Sequence, residues 1–156
     1  MMEKKEKILV AVTILMVAIL AACFYYDRNS ALIHRTLPYK LPDDVKLVDI
    51  DKHGFLFYRV SYEAKYEINA YNPEEILTFF VQAYGDSGQM LSNSDYQTMA
   101  AYMFENYYSY VDLKPNPAPG SGVWMQEADL VGGHHVLNFI VLEPNEHAYL
   151  YVYYTR

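Results

Sequence analysis

The sequence predicts an α+β fold. A hydrophobic N-terminal helix precedes one domain with a mainly antiparallel sheet of about five strands, in the order β-β-α-α-β-β-β, and two helices packed on one face of it. Three observations predict it. Ile8 to Tyr26 is a continuous apolar run without a charge. Two stretches with apolar residues at helical spacing lie together in mid-chain. Stretches with apolar residues at every second position flank them, and strands that flank helices rather than alternate with them pair antiparallel.

The apolar run comes first. A hydrocarbon core of ~30 Å needs about 20 helical residues, and this run has that length. Lys4, Lys5 and Lys7 precede it, diluted by Glu3 and Glu6. Basic residues are retained on the cytoplasmic side, so the bulk of the chain is expected outside. Tyr25 and Tyr26 suit the outer interface, and Asp27 and Arg28 end the apolar phase. The organisation expected is an anchor or signal peptide at 1–26, a tether at 27–44 and a single extracytoplasmic domain at 45–156.

Within the run, Leu20-Ala21-Ala22-Cys23 resembles the lipobox of bacterial lipoproteins. The resemblance covers these four residues and the charged and apolar segments before them. It implies cleavage before Cys23 and a lipid on its thiol. Phe24, Tyr25 and Tyr26 depart from the pattern, because they prolong the apolar run past the cysteine. An uncleaved spanning helix and a cleaved secretory signal fit the same residues.

Asn29 to Asp44, with Pro38 and Pro42, has no clear period and reads as the extended part of the tether, which joins the domain near Leu41. Val45 to Ile50 reads as a short strand and Asp51-Lys52-His53-Gly54 as a turn, with Gly54 at positive φ. The clearest strand follows. Leu56, Tyr58, Val60, Tyr62, Ala64, Tyr66 and Ile68 alternate with Arg59, Ser61, Glu63, Lys65 and Glu67. Period two sends the first set to the core and the second to solvent.

Asn72-Pro73-Glu74-Glu75 opens a helix, with Asn72 as cap and Pro73 at the first helical position. Its apolar residues cover most of the circumference, which predicts deep burial, and Gly85 ends it. After a loop at Asp86 to Met90, Ser92 starts a second helix, with Asp95 three residues on. Tyr96, Met99, Ala100, Met103, Tyr107 and Tyr110 or Val111 form its stripe. Pro115, Pro117, Pro119, Gly120 and Gly122 make an irregular connection. Val123 to Ala128, His135 to Leu142 and His147 to Thr155 are strands, the last two joined by Glu143-Pro144-Asn145-Glu146.

Composition limits the function. Cys23 is the one cysteine, so the domain has no disulfide, thiol nucleophile or cysteine zinc site. The net charge is −7, and the first 26 residues are slightly basic, so the remainder is more acidic still. An acidic domain repels phosphate backbones, which argues against nucleic acid. The 17 tyrosines mark strands or a binding surface. Tyr149, Tyr151 and Tyr153 are the candidate binding surface, on condition that the other face of the last strand is the core side.

Motifs for chemistry are fragmentary. Gly85-Asp86-Ser87-Gly88 resembles the nucleophile segment of chymotrypsin-like proteases, but Gln89 replaces a glycine and the segment lies between helices. Asp49, Asp51, His53 and Gly54 resemble the start of an EF-hand calcium loop, but its twelfth position, which needs a carboxylate, is Val60. A looser metal site from these side chains stays open. His134 and His135 are adjacent and point to opposite faces of a strand; His53 and His147 reach them only if their turns meet. The carboxylates pair as Asp43/Asp44, Glu74/Glu75, Glu127/Asp129 and Glu143/Glu146. No cofactor motif and no defined metal-ligand spacing is present.

The reading that fits is a bacterial, membrane-anchored extracytoplasmic accessory protein that binds a protein or cell-envelope component. The alternative is a small envelope hydrolase, which a cleft holding Glu127 or Asp129 with His134 or His135 favours. A metal sensor is the third class.

Overall fold

The computed structural model describes residues 4–26, 28, 41, 45–55, 58–68, 73–85, 88–130, 132–144 and 147–155. Most of the expected tether, the Asn72 cap, the Asp86-Ser87 pair and residues 145–146 lie outside this set. The chain divides into two compact units, Met1–Pro38 and Tyr39–Arg156.

The first unit holds α1, an unbroken helix over Lys4–Tyr26. Its apolar side chains point outward all round, from Ile8 to Tyr25. A helix apolar on every side belongs in a medium without water. The one polar side chain in its apolar stretch, Thr13, donates its hydroxyl to the Leu9 carbonyl at 2.9 Å and is satisfied within the helix. Lys4–Tyr25 is long and apolar enough to cross a membrane, a length and composition shared by anchors and signal sequences.

The second unit is α+β, as the strand and helix patterns predict. Its described residues form a six-stranded sheet of β1 (Val45–Phe55), β2 (Tyr58–Ile68), β3 (Gln89–Leu91), β4 (Gly122–Leu130), β5 (His134–Leu142) and β6 (Ala148–Thr155). The spatial order is β1-β2-β6-β5-β4-β3. Every pairing is antiparallel. The sixth strand is β3, a short edge strand on β4 where the sequence predicts only loop. Three residues carry too little periodicity to stand out from a loop.

The last strand in sequence is thus central in space. β6 lies between β2 and β5, and both of its faces are buried. Ala148, Leu150 and Val152 lie on one face, Tyr151 and Tyr153 on the other.

Helix α2 (Pro73–Tyr84) and helix α3 (Asn93–Asn106) meet opposite faces of the sheet rather than one. On α3, Tyr96, Ala100, Met103 and Phe104 form a buried stripe. The Tyr96 and Phe104 rings pack on Phe139 and Tyr153 at centroid distances of 5.5 and 5.6 Å. Phe139 is paired with Met125, so its neighbour Trp124 points to the other face. There the α2 side chain Phe80 meets the Trp124 ring at 5.8 Å. Alternation within a strand decides which helix goes where, and two helices adjacent in sequence end on different layers.

α2 is also shallower than expected. Phe80 is buried, whereas Leu77, Phe79, Val81 and Ala83 are half-buried. It packs near the β3–β4 edge, where one stripe is enough to cover the sheet. Gly85 ends it at φ +80°, and Gly88 carries the chain past Trp124. A Cβ on Gly88 overlaps the indole ring of Trp124. No side chain fits there unless the tryptophan moves.

The Ser92 cap forms as expected: its hydroxyl accepts from the Asp95 N–H at 3.2 Å. α3 stops at Asn106, and beyond it the helical stripe no longer holds. Tyr108 and Val111 are buried, while Tyr107 and Tyr110 point out. The proline-containing connection is pinned to the sheet side. Tyr96 donates to the Pro115 carbonyl at 2.9 Å, and Tyr153 to the Leu113 carbonyl at 2.5 Å.

β1 runs on through Phe55, so Asp51 to Gly54 is strand and not turn. Gly54 does take positive φ, at +101°, but at an irregularity in the strand. Moving the turn changes what faces what. Asp51 lies opposite Glu63, and His53 opposite Ser61. Tyr62, Ala64, Tyr66 and Ile68 are core residues, as the alternation predicts. Glu63, on the expected solvent face, is buried as well, because that face is covered by the 107–117 segment.

Candidate functional site

The expected tyrosine surface is not a surface. Tyr153 is 1% and Tyr151 7% exposed, and Tyr149 is half-buried. The condition attached to them, a solvent-facing side on the last strand, fails because β6 is central. Burial raises the phenols of Tyr151 and Tyr153 above their ordinary value. The Lys65 ammonium covers the Tyr149 ring at 4.5 Å. Cys23 lies near the end of the continuous helix α1.

The histidines separate. His134 faces the Tyr154 side of the sheet, with Nδ1 2.6 Å from the Tyr154 hydroxyl. His135 faces the α3 side. His53 is three strands away from it on β1, and His147 is exposed before β6. The Asp49 carboxylate turns to the Ile50 N–H at 2.9 Å.

His135 is where the expected elements converge. Glu127 and Asp129 are two apart on β4 and share a face. Asp129 lies opposite His135 on β5. His135 Nδ1 is 2.9 Å from Asp129 Oδ1, and Nε2 is 2.8 Å from Glu127 Oε1. These are ordinary hydrogen-bond lengths. An imidazolium donates to both carboxylates, whereas a neutral ring donates to one. With both nitrogens engaged, the ring presents no free base to a nucleophile in the manner of a serine-protease triad.

A groove of about 800 Å³ lies over this pair. Such a volume suits a small molecule or a few side chains of a partner. Its floor is Met125, Glu127, His135 and Thr155, and its walls are Met99, Met103 and Tyr108. Tyr102, Tyr107 and Tyr110 form the rim and are 59%, 64% and 44% exposed. The Tyr102 and Tyr107 rings meet edge-on at 6.0 Å. A hydrogen bond with Tyr102 raises the Tyr107 phenol above its ordinary value. Methionine walls adapt their shape, and tyrosine rims give large, stiff contact area.

The rim is the part that sequence reasoning missed. Tyr107 and Tyr110 continue the α3 stripe only if the helix continues. No glycine or proline near Asn106 marks its end.

A second cluster lies at the β1–β2 hairpin. Asp51, His53 and Glu63 hold ligand atoms that all lie within 4.8 Å of one another. His53 Nε2 is 3.3 Å from Glu63 Oε1 and 4.0 Å from Asp51 Oδ2. Glu63 Oε1 accepts from the Asp112 N–H at 3.0 Å, and Oε2 from the Leu113 N–H at 2.6 Å. The Tyr110 ring stands edge-on to His53 at 5.3 Å. Burial, with the Glu63 charge second, raises the Tyr110 phenol.

These features define a six-stranded antiparallel α+β domain with a tyrosine-rimmed groove, on a chain that begins with an apolar helix. Comparison with protein-family models, curated proteins and solved structures finds no match for it.

Proposed function

We propose that this is a membrane-anchored binding protein whose domain stands on the extracytoplasmic side, and that the groove over His135 receives part of a partner protein or envelope component. The observation that carries this reading is the rim. Tyr102, Tyr107 and Tyr110 are large, exposed and grouped on one groove. Grouped exposed aromatics are the residues that supply most binding energy at interfaces. The Glu127 carboxylate beside His135 gives the floor a polar end and favours hydrogen-bond donors.

A photo-crosslinking residue at Tyr107, in the full chain in bacterial membranes, tests it. A discrete adduct at Tyr107 and Tyr102, missing at the exposed β1 position Lys46, is the expected result. Equal labelling at all three positions, or none at the rim, ends the proposal. The second reading, an envelope hydrolase, is favoured by one observation: the groove does hold Glu127 with His135. In that case the captured ligand is cleaved, and Glu127→Gln stops the cleavage. A binding groove returns the ligand intact.

Lys4, Lys5 and Lys7 support retention of the N-terminus inside, and Leu20-Ala21-Ala22-Cys23 supports a lipid on Cys23. The intact mass of the membrane-bound protein is then that of a chain starting at Cys23 plus lipid, and Cys23→Ala abolishes it. A full-length mass in both forms makes α1 a spanning helix instead.

A further inference from the structure

We propose that Asp51, His53 and Glu63 form a binding site for a divalent transition-metal ion of the zinc class, separate from the groove over His135. The two histidine–carboxylate clusters differ in their distances. His135 sits 2.8 and 2.9 Å from its carboxylates, the length of a made hydrogen bond. His53 Nε2 sits 3.3 Å from Glu63 and 4.0 Å from Asp51. The first of these is long for a hydrogen bond. It matches the separation of neighbouring donors on a tetrahedral zinc ion, about 3.4 Å for bonds of about 2.0–2.2 Å. Asp51 closes the remainder by rotating a side chain that is half exposed.

Convergence separates the clusters too. Glu127 and Asp129 lie off different nitrogens of His135, on two sides of the ring, and do not meet at one point with it. At His53 both carboxylates face the same nitrogen, Nε2. One imidazole nitrogen and two carboxylate oxygens then face one place, and the half-exposed Asp51 leaves a water access to it. That donor set suits zinc, cobalt or nickel and is too small for calcium, which takes 6–8 oxygens.

The supports that a metal site needs are present. Two backbone N–H groups, of Asp112 and Leu113, hold the Glu63 carboxylate in place. Each carboxylate oxygen has two acceptor directions, so Oε1 keeps one beside the bond from Asp112. The Tyr110 ring fixes one side of the imidazole. Outer contacts of this kind orient metal ligands and set affinity. Asp51 and His53 are two apart on one strand, with Glu63 opposite Asp51, so the sheet register itself brings the three together.

The test uses the full chain in detergent, stripped with a chelator and without a purification tag. Zinc is titrated calorimetrically, and cobalt is followed by its visible absorption. The expected result is one zinc per chain, a tetrahedral cobalt spectrum and no response to calcium. His53→Ala weakens zinc binding at least tenfold, and Asp51→Asn, a nearly isosteric change at a half-exposed side chain, weakens it as well. His135→Ala leaves it unchanged. Glu63 is left alone because it also holds the 112–113 backbone. The proposal is overturned if zinc gives no saturable binding, if both hairpin variants bind as the parent does, or if His135→Ala removes the site.

Discussion

Replacing Glu63 by Gln lowers the stability of the domain by about 2–4 kcal/mol, and Glu63→Ala by about 3–5 kcal/mol. Each carboxylate oxygen accepts a backbone N–H, from Asp112 and from Leu113. Gln offers one acceptor and turns an NH2 group toward the other N–H, so a donor faces a donor. Ala removes both acceptors and leaves two N–H groups without them beside a cavity where a side chain that is 1% exposed stood. The matched control is Glu127→Gln. Its carboxylate is half exposed and bonds only to His135 among the described residues, so its loss costs less than about 1 kcal/mol. Urea unfolding at constant slope measures both. Equal midpoints for Glu63→Gln and the parent remove the buried carboxylate as a structural tie. The consequence reaches the groove, because Tyr110 on the rim lies two residues before Asp112, the first residue whose N–H Glu63 holds.

Glu63 also shows where sequence reasoning stops. Period two in β2 correctly selects Tyr62, Ala64, Tyr66 and Ile68 for the core. It also sends Glu63 to solvent, because alternation assumes that one face of the sheet is open. Nothing local reports that residues 107–117, about fifty positions away, cover the second face. The same lack hides the burial of Tyr151 and Tyr153, since the central place of β6 is a property of strand order. Local chemistry is legible: the Ser92 cap, the Gly85 stop and positive φ at Gly54 follow from neighbours in sequence, whereas the contact of Glu127 and Asp129 with His135 needs the β4–β5 register. The Asp51–His53–Glu63 cluster needs the hairpin register. That register depends on a turn which the Asp51-Lys52-His53-Gly54 composition places too early. The gap lies between periodicity, which is local, and register and layer, which the whole sheet decides.

Raising the pH above 10 unfolds the domain in one cooperative transition that is complete within about two pH units. Burial raises the phenols of Tyr66, Tyr96, Tyr108, Tyr151 and Tyr153, with smaller contributions from neighbouring tyrosines and carboxylates except at Tyr66. In the unfolded chain each ionises near 10. The folded state therefore keeps protons that the unfolded state gives up. Stability from these groups is complete below pH 10 and falls as the pH rises toward their folded values. A phenol held this far up costs as much as about 1.4 kcal/mol per pH unit, so Tyr66, Tyr96 and Tyr108 together remove about 4 kcal/mol per unit, and Tyr151 and Tyr153 act in the same direction. A domain of this size holds about 5–15 kcal/mol, which a loss of this kind exhausts about two units above pH 10. Tyrosinate absorbance and far-ultraviolet circular dichroism, read on the same sample, should change together. A gradual rise in absorbance with the dichroism intact beyond pH 12 refutes the linkage. Tyr66→Phe is the clean subtraction. The Tyr66 hydroxyl is buried without a hydrogen-bond partner among the described residues, so the variant loses no bond to them. It gains about 1–3 kcal/mol below pH 10 and shows a shallower alkaline slope by one proton.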